Sequence, residues 1–149
     1  MSRIPRVLEH LKTGFNAEAA AAARFRAYAH RTEADGMPRL AERLRELAAR
    51  KDELARLQLE AAGRVWGEDT DVIAEIAEER YENEVLYPKL IRDSAGDPEA
   101  VGLFQRVIEE QKDHLARLDA LRRALNASQG DVALPQEVTK AGEPVTVST

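Results

Sequence analysis

The chain has 149 residues, 44% apolar and 33% charged, with 22 Lys+Arg against 27 Asp+Glu, a net charge of −5, three His and no Cys. That is enough for one domain with a full core, and the acidic balance withholds the Lys/Arg surplus that phosphate neutralisation requires, so nucleic acid is not an expected partner. Without cysteine, disulfides, thiolate nucleophiles and sulfur-held metals are excluded; His and carboxylates remain as the strong metal ligands.

Ala, Leu, Arg and Glu dominate, and the helix breakers cluster at a few places, which predicts helix almost throughout. Residues Met1 to Arg6 contain no apolar h-region, and no apolar run reaches membrane-spanning length, so the expectation is a soluble, cytoplasmic protein with no membrane partner. The first helix is expected from Pro5 to Ala34, stopping at Asp35-Gly36. The second opens at Pro38, which suits a first helical turn, and ends near Gly63. A link from Arg64 to Asp69 holds the one tryptophan, Trp66. The third helix starts at Thr70 or Asp71, both N-cap residue types, and runs to Ser94-Ala95-Gly96. Asp97-Pro98-Glu99 opens the fourth with an N-cap, a proline at the first helical position and an acid on the positive end of the dipole. That helix fades between Asn126 and Gly130. The segment 131–149 has two prolines and no helical period, so a helical domain over 1–130 is followed by an extended or disordered tail.

Each helix carries an apolar stripe at alternating spacings of three and four, the pattern of a bundle core. The stripes are Leu11, Phe15, Glu18, Ala22, Phe25, Ala29; then Leu40, Leu44, Leu47, Arg50, Leu54, Leu57, Ala61. The third reads Val72, Ile76, Glu79, Asn83, Leu86, Leu90, and the fourth Phe104, Val107, Gln111, His114, Leu118, Leu121, Leu125. Four stripes imply an all-α four-helix bundle. Every stripe is interrupted by polar residues near its middle: Glu18; Arg50 with Glu53; Glu79 with Glu82; Gln111 with His114. Such a layer brings together four carboxylates, and burying them without partners costs several kcal/mol each. A positive charge is required among them: a metal ion, Arg50, or both. Phe15, Phe25 and Tyr28 read as core packing, and His10 and His30 fall outside the layer.

Phe15-Asn16-Ala17-Glu18 with Arg24-Phe25, Glu79-Arg80-Tyr81-Glu82 ahead of Leu86-Tyr87-Pro88, and Glu109 to His114 resemble the rubrerythrin branch of the ferritin-like superfamily. The resemblance covers about 15–125. It implies a buried di-iron carboxylate centre reacting with peroxide or oxygen, with Glu18 and Glu79 at ligand positions, Glu82 at the extra carboxylate and His114 at the histidine of the last helix. Two positions depart from the family pattern. Arg50-Lys51-Asp52-Glu53 stands where Glu-x-x-His is expected, placing Glu53 at the histidine position, and Gln111 replaces the remaining Glu. The family's two bridging carboxylates are thus missing, and a guanidinium cannot bind a cation. The expected metal set is therefore Glu18, Glu53, Glu79, Glu82 and His114, holding at most one iron or other divalent transition-metal ion tightly. With no Cys the chain lacks the rubredoxin-like module of complete rubrerythrins, so redox turnover requires an external electron donor. The alternative is a non-enzymatic ferritin-like bundle, a binding or structural module in which Arg50 points inward and replaces the metal.

The resemblance also implies that helices two and three run parallel. A helix of about 25 residues is roughly 38 Å long, whereas a six-residue link reaches about 22 Å at most. Either helix three turns back antiparallel in a plain up-and-down bundle, or it continues onward into a second subunit's bundle; the expectation is the latter, a domain-swapped homodimer in which Glu18, Arg50 and Glu53 of one chain meet Glu79, Glu82, Gln111 and His114 of the other.

Overall fold

A computed structural model describes residues 5–127 of the chain. Its order is α1 (Pro5–Ala34), α2 (Pro38–Ala61), α3 (Glu68–Tyr81), a π turn (Glu82–Leu86), α4 (Tyr87–Asp93) and α5 (Pro98–Ala127), and no strand occurs among the described residues. The protein is therefore all-α over this range. The expected tail 131–149 lies outside the described residues. No described helix is long and apolar enough to cross a membrane. The chain divides into two compact units, Met1–Trp66 and Gly67–Thr149.

In the first unit α1 and α2 form a hairpin. Gly36, at φ 82°, supplies the left-handed residue that ends α1, while Gly36 N–H bonds the Glu33 carbonyl and Met37 N–H that of Thr32. Inter-helix ion pairs join Arg26 to Asp52 and Arg45 to Glu33, so ascending positions on one helix meet descending positions on the other. The seam is alanine: Ala22, Ala29, Ala41, Ala48 and Ala55 are buried, mostly at seven-residue intervals. Small side chains let the two backbones approach closely. At Gly14 even a Cβ would sit 1.7 Å from Gln58 Oε1. Leu40, Leu47 and Leu54 each precede a seam alanine by one residue, a rotation of about 100°, and stay roughly half exposed. Leu40, Leu47 and Leu54 of the stripe read from the sequence therefore lie on a separate face of α2 from the one that closes on α1, while Leu44 lies at the edge between them.

In the second unit α3, the π turn and α4 form one uninterrupted helical stretch packed on α5. Helix α3 begins at Glu68, two residues before the expected Thr70. Glu68, Asp69 and Asp71 crowd its first turn, where the dipole favours anions, and Gly67 N–H bonds Asp71 Oδ2 at 3.3 Å. The Asp97 start of the last helix is borne out, with Ala100 N–H donating to Asp97 Oδ1 at 3.1 Å. The π turn was not legible in the sequence. Tyr87 N–H bonds the Glu82 carbonyl, five residues back, and the following Pro88 has no N–H to continue an α-helical ladder. One extra residue in the turn shifts the register beyond it. Leu86 is consequently 36% exposed, and Tyr87 packs on Phe104 with ring centroids 6.0 Å apart. Among the described residues of this unit, Ile76, Ala116 and Ala120 are buried and apolar.

The residues joining the units include Trp66, about half exposed, with the Arg64 guanidinium carbon 5.9 Å from its ring centroid.

Candidate metal centre

The α1–α2 hairpin contributes Glu18 and Glu53. Glu18 is partly buried, and Lys51 Nζ lies 2.9 Å from its Oε2. This ammonium is the charge partner of Glu18 within the hairpin. Glu53 is on the exposed side of α2, in an ion pair with Arg56 that holds its carboxyl below the ordinary carboxylate range. Arg50 is exposed as well. Within this hairpin the cation at the Glu18 carboxylate is Lys51, and the inward Arg50 expected from the sequence is not found. A register counted from the alanine heptad would have shown this, since Leu44, Lys51 and Gln58 follow each other at intervals of seven along the edge of the seam.

The α3–α5 hairpin holds the rest. Glu79 leaves only 15% of its side chain exposed, and its Oε1 lies 3.6 Å from Nδ1 of His114, whose side chain is 51% exposed. Burial raises the Glu79 carboxyl above its ordinary range; His114 opposes that shift, while Glu75 and Glu82 reinforce it. One turn along, Gln111 Nε2 donates to Glu82 Oε2 at 2.7 Å. Asn83, present in the stripe read from the sequence but given no role there, donates from Nδ2 to the Ile108 carbonyl at 3.1 Å. The structure thus pairs Glu79 with His114 and Glu82 with Gln111.

Among the described residues, four buried side-chain oxygens lack a hydrogen-bond partner: Glu79 Oε2, Asn83 Oδ1, Gln111 Oε1, and Glu18 Oε2, which has the Lys51 ammonium beside it. Three of the four belong to the α3–α5 hairpin. Unpaired buried acceptors are costly and call for a donor or a cation. A set of carboxylate oxygens, an imidazole and an amide oxygen fits a divalent transition-metal ion in donor type. Among the described residues no group of three or more His, Cys, Asp or Glu lies close enough together to hold a metal by itself.

No protein-family model and no curated protein matches the chain.

Proposed function

We propose that the chain is a rubrerythrin-like, ferritin-like metal-binding protein whose α3–α5 hairpin provides Glu79, Glu82 and His114 to at most one divalent transition-metal ion. The observation that carries this reading is the trio of buried, unpartnered oxygens on Glu79, Asn83 and Gln111, beside a histidine that keeps half its surface open. A bound ion would supply redox chemistry toward peroxide or oxygen, with an external electron donor. The residues' own task is to bind it: Glu79 and His114 from facing helices, and Glu82 held in orientation by Gln111.

The proposal includes a homodimer formed by exchange of helix pairs. In it the remaining carboxylates, Glu18 or Glu53, come from a second copy, which also covers the leucine face of α2. The six residues 62–67 between α2 and α3 reach about 22 Å when extended, whereas α2 is about 36 Å long, so parallel α2 and α3 belong to different bundles of the pair.

The second reading, a non-enzymatic bundle in which a side-chain cation replaces the metal, is favoured by one contact: Lys51 already serves Glu18 in that way. Titration of metal-stripped protein with Co2+, followed by its absorption bands and by elemental analysis, separates the two. Up to one ion per chain, lost in His114→Ala and in Glu79→Gln, supports the metal centre. No binding leaves the non-enzymatic bundle, and two irons per chain with the bands of an oxo-bridged pair would overturn both.

A further inference from the structure

We propose that the π turn Glu82–Leu86 is the positioning element of the candidate metal centre and that Asn83 pins it to α5; this rests on the metal-binding reading above and concerns what holds its ligands in place. The observation is a ladder of contacts across the α3–α5 seam. On α5 the partners are the Phe104 ring, the Ile108 main-chain carbonyl and the Gln111 and His114 side chains, three or four residues apart. Their partners on the other side are Tyr87, Asn83, Glu82 and Glu79. Here the steps are four, one and three. Two adjacent residues, Asn83 and Glu82, meet α5 positions that lie nearly one turn apart.

A regular α-helix does not readily allow this, because neighbouring side chains diverge by about 100°. A π turn has more residues per turn, so successive side chains diverge less, and both can be directed at one facing helix. The turn starts at the position where the single-residue step occurs, with its five-residue hydrogen bond from Tyr87 N–H to the Glu82 carbonyl. Asn83 closes the arrangement by donating to the Ile108 carbonyl, which keeps Glu82 within 2.7 Å of Gln111 Nε2. Upstream, Glu79 stays opposite His114; downstream, Tyr87 rather than Leu86 takes the place against Phe104. Asn83 acts through the helix on Glu82 and Glu79 and is a positioning residue.

The test compares the full chain with Asn83→Ala and with a deletion of the exposed Glu84, which removes the extra residue and regularises the helix. Co2+ affinity, melting temperature and the Gln111 side-chain amide signals are measured for each. In the parent those amide protons are displaced and exchange slowly because they are bonded to Glu82. The expected result is a Co2+ affinity at least tenfold lower in both variants, an unchanged or higher melting temperature for the deletion, and Gln111 signals moved to the positions of a free amide. Unmoved Gln111 signals in Asn83→Ala overturn the proposal whether or not the parent binds metal. Moved signals with an unchanged affinity for Co2+ overturn it equally. A parent that binds no Co2+ refutes the metal reading, and the metal-free Gln111 signals alone then decide whether Asn83 positions Glu82. If the deletion does not fold, Asn83→Ala alone decides, by the same criteria.

Discussion

The two hairpins handle carboxylates near the middle of their helices in opposite ways. In α1–α2, Glu18 has Lys51 beside it and Glu53 has Arg56, while the seam between the helices is alanine. In α3–α5 the seam itself is polar: a carboxylate against a histidine, a second carboxylate against an amide, and three buried oxygens that accept nothing. A charge placed beside a seam is satisfied by a long flexible cation from the same hairpin. One built into the seam faces His114 and Gln111 from the opposite helix, and oxygens of Glu79, Asn83 and Gln111 are left without a hydrogen-bond partner.

The contrast is broken most severely at the leucine face of α2. If a second copy covers it, Leu47→Ala costs about 2–5 kcal/mol and shifts the dimer toward monomer. Urea denaturation with light scattering checks both, and a change within about 0.5 kcal/mol at the 16.6 kDa mass would show an open face on a monomer. One residue further on, Ala48→Leu overfills the alanine seam and is expected to destabilise by about 1–3 kcal/mol through the hairpin itself, independently of protein concentration. Lys51→Met should lower stability by about 1 kcal/mol by leaving Glu18 without its cation, whereas Arg50→Ala stays within about 0.5 kcal/mol. A larger loss for Arg50 than for Lys51 in chemical denaturation would reverse this assignment.

The smallest effect is the most specific in sign. The Glu79 carboxyl titrates above its unfolded value because it is buried, so its protonated form is favoured by folding. The stability linked to that proton is fully present below the ordinary carboxylate range and is lost as pH rises through the raised value. Metal-free parent should therefore lose stability relative to Glu79→Gln across that interval. Parallel pH profiles of the two melting temperatures would refute the assignment.

These expectations also mark where sequence reading succeeds. The helix from Pro98 was legible because Asp97, Pro98 and Glu99 each act through local backbone chemistry. The polar residues in the apolar stripes were legible too, since Glu79, Glu82, Gln111 and His114 break a periodic pattern. Leu86 was misread because periodicity assumes constant residues per turn, and one π turn breaks that assumption while the sequence still looks helical. Lys51 rather than Arg50 meets Glu18 within the α1–α2 hairpin because neighbours differ by about 100° on the wheel: Arg50 is in register with the leucine stripe, Lys51 with the edge of the alanine seam. The alanine heptad decides between them, because a seam of small residues fixes the angle at which two helices touch.

Trp66 is the chain's one tryptophan, and its place in the link gives the protein a built-in optical reporter with a narrow field of view. Its emission senses the Arg64 cation and the solvent around the link, so it reports on residues 62–67 themselves. A spectrum that moves with protein concentration alone would place Trp66 close to where two copies meet.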